Sequence, residues 1–384
     1  MRIVADENIP LLESFFGDIG EIRPVSGRTM SAADVQNADI LLVRSVTRVN
    51  QALLEGSRVR FVGTCTIGTD HVDQKWLESS GIAFSAAPGC NANSVVEYVL
   101  SVISLHAEKR GVADWSKLSV GIVGAGNVGG ELARKLDRLG FNVRLCDPPR
   151  AEREGDEGEK FVSLDEAMAC DVVTLHTPLT REGEHATFHM FGPERLSSLT
   201  EDQLLINTSR GEVIETSALL ARLGAPNAPT VVLDVFEHEP RVHAELVEKA
   251  WLATPHIAGY SLEGKVQGSE MVYQALSRYM GLPARKKAGQ FLPEPALNKL
   301  SFTSAAEEMA SANIAIRSCY DPRQDDARMR LAMALPPEDR AQAFDRLRRD
   351  YPVRREFSSL KIQLKGTSKS MQDTFRALGF KLKI

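Results

Sequence analysis

One glycine-rich turn constrains the fold of this chain more than any other feature of its sequence. The apolar run Ser119–Val123 continues directly into Gly124-Ala-Gly126-Asn-Val-Gly129, and a helix with leucines on one face is predicted to follow. This order is typical of the phosphate-binding unit of doubly wound α/β domains. Gly124 permits the tight turn, Gly126 lets a phosphate approach the backbone, and Gly129 lets the helix pack against the strand. The helix N-terminus then offers unpaired N–H groups to a pyrophosphate.

The next predicted strand indicates which dinucleotide would bind. It covers Asn142–Cys146 and ends at Asp147, 18 residues after Gly129. A carboxylate at this position accepts hydrogen bonds from the adenosine ribose and repels a 2′-phosphate, which favours NAD over NADP. The alternative is that Asp147 is only a turn residue before Pro148.

Composition and cysteine usage exclude several classes of protein. The chain has 384 residues, a net charge of −5 and 43% hydrophobic residues, which predicts a globular protein of two or three domains. The longest uncharged apolar run, Tyr98–Ala107, is too short to span a bilayer, and the N-terminus lacks the apolar core of a signal peptide. Five scattered cysteines favour a reducing, cytoplasmic compartment, and we expect neither a disulfide framework nor a metal site.

Strands and helices alternate along most of the chain, which predicts parallel sheets. One series of strands covers residues 1–95 and a second covers residues 117–258. Between them, Asn93–Lys109 has the spacing of an amphipathic helix, with Ser94 as a candidate N-cap and Glu97 three residues later. Glycines and prolines at 281–296 indicate a linker.

The C-terminal part of the chain is net positive, whereas the rest of the chain is net negative. Residues 286–384 contain 19 basic and 12 acidic residues, a net of +7, whereas the remainder carries −12. A basic segment can indicate nucleic-acid binding. Because its charges are mixed in sign, we favour a solvated or subunit-facing module, and we expect neither a nucleic-acid nor a membrane partner.

Three ionisable residues follow predicted strands of the second series: Arg210, Glu239 and His256. In doubly wound sheets, residues at the carboxyl ends of strands line the ligand site. Oxidation of a hydroxy acid needs a cation for the carboxylate, a base for the hydroxyl proton and an acid that orients the base. Singly, each residue has a structural alternative: a surface ion pair, a turn acid or a helix-entry histidine. Together, behind a dinucleotide motif, they favour catalysis.

With these motifs in place, the chain resembles the D-isomer-specific 2-hydroxyacid dehydrogenases. The resemblance is carried by the glycine motif, Asp147, Thr208-Ser-Arg210-Gly, Asp234-Val-Phe-Glu-His-Glu239-Pro and Pro255-His256-Ile-Ala-Gly259. It implies two Rossmann-like doubly wound parallel-sheet domains with a cleft between them, plus a C-terminal α+β dimerisation domain in a homodimer. Residues 1–95 and 258–285 would form the substrate-binding lid domain, 96–257 the NAD-binding domain and 286–384 the dimerisation domain.

The resemblance also implies a role for individual residues. Arg210, Glu239 and His256 would be catalytic, and Ser45, Thr66 and Tyr260 would bind a small phosphorylated hydroxy acid. We add Arg44, because a phosphate needs a cationic partner, although an ion pair beside the site is an equal alternative. The NAD contacts would be Gly124, Gly126, Asn127, Val128, Gly129, Asp147, Thr177, Thr208, Ser209, Asp234 and Gly259.

Two other functions remain open on this sequence. One is another dehydrogenase of the same family, such as one that acts on 3-phosphoglycerate. The other is a corepressor that senses NAD on the same fold without catalysis.

Overall fold

A computed structural model describes residues 1–155 and 160–383 of the chain. Strands and helices are numbered in chain order. The strands are β1 (Arg2–Asp6), β2 (Glu21–Val25), β3 (Ile40–Val43), β4 (Phe61–Thr64), β5 (Ala83–Ser85), β6 (Ser119–Val123), β7 (Asn142–Cys146), β8 (Val172–Leu175), β9 (Leu204–Asn207), β10 (Thr230–Leu233), β11 (Leu252–Ala253), β12 (Lys299–Thr303), β13 (Lys361–Lys365) and β14 (Lys381–Lys383). The helices are α1 (Leu12–Phe16), α2 (Ala32–Val35), α3 (Gln51–Leu54), α4 (Gln74–Ser79), α5 (Ala92–Lys109), α6 (Asn127–Arg138), α7 (Pro148–Glu154), α8 (Leu164–Met168), α9 (Pro193–Ser198), α10 (Thr216–Gly224), α11 (Ala244–Lys249), α12 (Leu262–Tyr279), α13 (Glu308–Cys319), α14 (Pro322–Met333), α15 (Pro337–Arg349) and α16 (Lys369–Leu378).

The chain divides into two compact units. The first comprises Met1–Ala92 and Tyr260–Glu294, and the second comprises Asn93–Gly259 and Pro295–Ile384. The linker predicted at 281–296 therefore lies largely in the first unit, where Ala288 joins the core. The segment from Pro295 onward groups with the dinucleotide motif. No helix of the described residues is long and apolar enough to cross a membrane.

The first unit is built on a five-stranded parallel sheet. Its strand order is β2-β1-β3-β4-β5. Strand β2 therefore lies on one side of β1, and β3 and the later strands lie on the other side. Residues of one strand alternate between two apolar layers: Leu42 faces a core that includes Val272 of α12, whereas Leu41 and Val43 face the other. Burial on both faces is characteristic of parallel sheets with helices on each side.

The second unit contains a six-stranded parallel sheet with the order β11-β10-β9-β8-β6-β7. Strand β7 lies on one side of β6, and β8 lies on the other. The carboxyl ends of β6 and β8 therefore form the topological switch point, where ligands bind in this class of fold. Val123, Leu175, Leu205 and Leu233 share one buried apolar cluster on this sheet. The doubly wound fold predicted from the sequence is confirmed.

The C-terminal part of the second unit has a small sheet of its own. Strands β12, β13 and β14 lie parallel in that order, and helices α13 to α16 occur between them along the chain. Met329 of α14 and Phe344 of α15 belong to the same apolar cluster as the large sheet. This segment therefore forms part of the core on which the dinucleotide motif rests.

Candidate active site

The glycine turn has the geometry that a dinucleotide requires. Gly124 has a φ of 93°, and a Cβ at this position would lie 2.8 Å from the His176 carbonyl carbon. A Cβ on Gly129 would lie 1.9 Å from the Gly124 carbonyl oxygen. Only glycine fits either position, so the turn after β6 and the start of α6 pack closely against the sheet.

The space in front of α6 suits a phosphate. A Cβ built on Gly126 meets no atom of the described residues within 4 Å, and no side chain among them caps the helix there. The N–H groups of the first turn of α6, which include those of Asn127 and Val128, lack intrahelical partners. This helix end can therefore accept a pyrophosphate.

Asp147 lies beside the glycine turn, at the end of β7. Its Oδ2 accepts a hydrogen bond from the Ala125 N–H at 2.8 Å, and its Oδ1 accepts one from the Arg150 N–H at 3.0 Å. Asp147 is thus also the N-cap of α7. A structural role in this turn does not prevent Asp147 from binding the ribose as well. A carboxylate has further lone pairs for ribose hydroxyls.

The strands on the other side of the switch point supply polar groups. Thr177 Oγ1 is buried and has no hydrogen-bond partner among the described residues, so it has unused capacity for a ligand. Thr208 Oγ1 lies 3.1 Å from His176 Nδ1, and Ser209 Oγ donates to Asn207 Oδ1 at 2.8 Å. Burial lowers the pKa of His176 to about 3, so its ring is neutral at physiological pH. Together with the open helix end, these groups fit NAD.

His256 and Glu239 form a hydrogen-bonded pair. His256 Nδ1 lies 2.8 Å from Glu239 Oε2, and the Phe236 N–H donates to Glu239 Oε1 at 2.9 Å. The His256 side chain is 34% exposed, whereas Glu239 is 18% exposed. Burial raises the pKa of Glu239, but the attraction and hydrogen bond of His256, together with the Arg348 charge and the Phe236 N–H, hold this pKa below its ordinary value. An ionised carboxylate behind the imidazole fixes its tautomer and stabilises its protonated form.

The backbone at His256 is held in an unusual conformation. Its φ is 56°, in the left-handed region that non-glycine residues rarely adopt. Asp234 holds the following residues: its Oδ1 accepts from the Ile257 N–H at 2.8 Å and its Oδ2 from the Ala258 N–H at 2.9 Å. Burial raises the pKa of Asp234. Asp234 is 1% exposed, so the structure shows it supporting the histidine loop, and its predicted NAD contact stays a prediction.

Arg210 follows β9, on the loop next to the one that carries Glu239. Its Nη1 donates to the Ser209 carbonyl at 2.8 Å, and the residue is half-buried. A Cβ on Gly211 would lie 1.9 Å from the Phe236 carbonyl carbon, so glycine lets the two loops touch. This close approach places Arg210 and the Glu239–His256 pair at the same edge of the sheet.

Glu237 has different partners from Glu239. Its Oε1 lies 2.7 Å from His189 Nε2, and its Oε2 accepts from the Thr216 N–H at 2.7 Å. The two neighbouring acids therefore serve two separate histidines. This geometry supports Glu239 as the partner of His256.

The predicted substrate residues belong to the first unit. Arg44 and Ser45 follow β3, and Thr66 lies two residues beyond β4, where its hydroxyl is 2.8 Å from Thr64 Oγ1. Because β3 and β4 are parallel neighbours, both end at the same carboxyl edge of their sheet, where ligands bind in this class of fold. Tyr260 precedes α12, and Lys265 Nζ lies 4.4 Å from its ring centroid.

Lys265 was missed in the sequence. Burial and the charge of Arg44 lower its pKa to about 8, so the Arg44 charge acts on Lys265 within this unit. Its position five residues after Tyr260, in the first turn of a helix, was the available signal. On its own, a helical lysine is more often solvent-exposed.

Two segments of the chain match models of known protein families. Residues 103–258 match the model of the D-isomer specific 2-hydroxyacid dehydrogenase NAD binding domain, and residues 291–379 match a domain of unknown function. Among solved structures, D-lactate dehydrogenase from Aquifex aeolicus, in complex with NAD and lactic acid, has a TM-score of 0.59 at 23% identity. The match covers 73% of this chain and 96% of that one, and it shows a shared fold.

Curated relatives match over the whole chain. The erythronate-4-phosphate dehydrogenase of Marinobacter nauticus is 71% identical over 384 residues, which is 100% of both chains. That of Hahella chejuensis is 49% identical over 382 residues, which is 100% of this chain and 99% of the relative. The glycine turn, the acid after β7 and the Glu239–His256 pair are thus found in a chain that belongs to the erythronate-4-phosphate dehydrogenase family.

Proposed function

We propose that this chain is an NAD-dependent dehydrogenase that oxidises 4-phospho-D-erythronate to 2-oxo-3-hydroxy-4-phosphobutanoate. The observation that carries this proposal is the Glu239–His256 pair, at the sheet edge that holds the dinucleotide turn, in a chain 71% identical to an erythronate-4-phosphate dehydrogenase. The reaction would belong to pyridoxal phosphate biosynthesis. Five cysteines scattered along the chain favour a cytoplasmic location.

Each residue of the second unit has a role in this proposal. Arg210 binds the substrate carboxylate and the oxygen on C2. Neutral His256 takes the proton of the C2 hydroxyl through Nε2, because Nδ1 faces Glu239. Glu239 stabilises the resulting imidazolium. NAD, when bound, accepts the hydride from C2.

Residues of the first unit select the substrate in this proposal. Ser45, Thr66 and Tyr260 offer hydroxyls to a polyhydroxy acid. Arg44 and Lys265 supply positive charge for its phosphate, and the effect of the Arg44 charge on Lys265 supports an anion site near them. A phosphate would relieve the repulsion between them and keep Lys265 protonated.

Reduced-nicotinamide absorbance after addition of NAD and each candidate acid tests the reaction. We expect turnover with 4-phospho-D-erythronate and none with 3-phosphoglycerate. Turnover with 3-phosphoglycerate alone would select the other dehydrogenase. Binding of NAD without any turnover would favour the sensor.

Asp147 is expected to set the preference for NAD. We predict that Asp147→Asn lowers the ratio of kcat/KM for NAD to that for NADP by about tenfold or more, because the negative charge facing a 2′-phosphate is lost. Asparagine is a good N-cap, so the start of α7 is preserved. Steady-state kinetics with both cofactors measures this ratio, and an unchanged ratio would reject the ribose role of Asp147.

We also propose a homodimer formed through the C-terminal segment. Large apolar side chains with 38–74% exposure occur repeatedly in this segment: Leu297, Ile314, Leu331, Leu335 and Val353. Exposed apolar side chains in such number suit a subunit interface.

Light scattering of point variants tests the dimer. The double variant Leu331→Asp, Val353→Asp is expected to fall from the mass of two chains to that of one, because it places charge among apolar contacts. Deletion of the segment is less suitable, because Met329 and Phe344 belong to the core of the second unit. Leu282→Asp, which changes an equally apolar exposed residue of the first unit, is the control. A double variant that stays dimeric would reject this interface.

A further inference from the structure

The C-terminal segment of the second unit packs directly behind the catalytic pair. Phe344 of α15 is fully buried, and its ring centroid lies 6.5 Å from that of Phe236, at 86°. The backbone N–H of Phe236 is the group that donates to Glu239 Oε1. Helix α15 therefore supports the residue that holds the carboxylate.

One turn after Phe344, the same helix brings a charge to Glu239. Arg348 Nη1 lies 4.0 Å from Glu239 Oε2, the same oxygen that lies 2.8 Å from His256 Nδ1. The side chains of Arg348 and Glu239 are each 18% exposed, so water screens their attraction only in part. The carboxylate thus faces two cationic groups when His256 is protonated.

The segment that carries Arg348 is fixed on both sides of the histidine loop. Asp326 Oδ1 accepts from the Ala253 N–H at 2.8 Å, three residues before His256. Arg354 Nη1 donates to the Ala258 carbonyl at 2.9 Å, two residues after it. These bonds hold α14, α15 and the following loop in register with His256, so the position of Arg348 is set by the fold.

We propose that Arg348 is a positioning residue for the dehydrogenase reaction: it keeps Glu239 ionised and aligned, and it limits how strongly that carboxylate retains the proton on His256. This inference rests on the proposed function and assigns a catalytic contribution to the C-terminal segment, beyond assembly. A carboxylate shared between Arg348 and His256 attracts the imidazolium less than an unshared one. The base then returns its proton to solvent more readily after each oxidation.

The charged groups near the pair belong to several loops and to helix α15 of the second unit. Asp234 accepts hydrogen bonds from backbone N–H groups of the histidine loop, and Glu237 forms a hydrogen bond with His189. Two cationic groups lower the pKa of Glu239 by their charge: His256 and Arg348. Arg210, on the neighbouring loop, is a further cation at this edge of the sheet, and it stays in place when Arg348 is removed. Removal of Arg348 therefore takes away the positive charge that acts on Glu239 itself and leaves that carboxylate to His256.

The test compares Arg348→Met, Arg348→Lys and the wild-type enzyme in both reaction directions. For Arg348→Met, we expect kcat of oxidation to fall about threefold to tenfold while KM for NAD changes less than twofold. The acidic limb of the pH profile for oxidation, where His256 must be neutral, should move up by about half a pH unit or more. The basic limb for reduction, where His256 must be protonated, should move up as well. Arg348→Lys should restore both limbs towards the wild-type values.

Arg349→Met is the matched control, because Arg349 lies on the same helix, is 64% exposed and pairs with Asp350. It removes the same charge and should leave both pH profiles unchanged. Wild-type pH limbs in Arg348→Met, or equal shifts in Arg348→Met and Arg349→Met, would overturn the proposal. A wild-type enzyme with no turnover of 4-phosphoerythronate would instead reject the proposed function.

Discussion

Replacement of His256 by alanine is expected to lower kcat for oxidation by about 10³–10⁴-fold, while NAD still binds with nearly wild-type affinity. The reason is that His256 is the group placed to take the hydroxyl proton, with Glu239 2.8 Å behind it. The dinucleotide turn lies on a different loop, after β6, and does not depend on this side chain. Steady-state rates with 4-phosphoerythronate and calorimetric titration with NAD measure the two quantities.

His189 provides a matched control for this result. It forms a similar pair with Glu237, at 2.7 Å, in the same unit. His189→Ala should keep turnover close to that of the wild type, because its pair is separate from Glu239. Near-normal turnover in His256→Ala, or an equal loss in both variants, would remove His256 from the role of base.

Replacement of Arg210 by methionine is expected to lower kcat/KM for the hydroxy acid by about 10²–10³-fold. A guanidinium binds a carboxylate with two parallel hydrogen bonds, which methionine cannot form. Arg210→Lys keeps the charge but loses the bidentate geometry, so it should recover only part of the loss. Kinetics over a range of substrate concentrations, with NAD saturating, separate kcat from KM.

Arg241→Met serves as the control for loss of one positive charge, because Arg241 is an exposed residue near the Glu239 loop. We expect little change in kcat/KM for that variant. Full activity in Arg210→Met, or full rescue by Arg210→Lys, would contradict bidentate binding of the substrate by Arg210.

Local sequence patterns predicted much of the second unit. The bounds of β6 and β7 match those expected, because short apolar runs end there at a glycine turn and at Asp147. Strand β2 (Glu21–Val25) was not predicted. It contains charged residues and Pro24, and it lies at the edge of the first sheet, where a strand needs fewer apolar residues and tolerates proline.

The start of α5 shows why some contacts could not be predicted. Ser94 and Glu97 have the spacing of a helix cap, but the helix begins at Ala92. Ser94 Oγ donates to Glu356 Oε1 at 3.0 Å, and Glu97 accepts from the Phe357 N–H at 3.0 Å. Burial and the neighbouring Glu356 raise the pKa of Glu97 to about 8. These partners lie some 260 residues away in the chain, so no local pattern reveals them.

The candidate site also contains both kinds of residue: some that local sequence patterns indicated and some that only the fold reveals. The sequence alone indicated Arg210, Glu239 and His256, because each follows a predicted strand of one sheet. It did not indicate Arg348 or Lys265, whose roles depend on which residues the fold brings beside them. Single charged residues on helices carry no signal of their own in a sequence.

Transfer of deuterium from C2 of the substrate tests the central claim most directly. The enzyme would be given NAD and 4-phospho-D-erythronate deuterated at C2, and the reduced nicotinamide would be analysed by mass spectrometry. Direct hydride transfer from C2 to NAD predicts that each reduced nicotinamide carries one deuterium and that each turnover yields one 2-oxo acid. Reduced nicotinamide without deuterium, or release of the label to water, would contradict the mechanism.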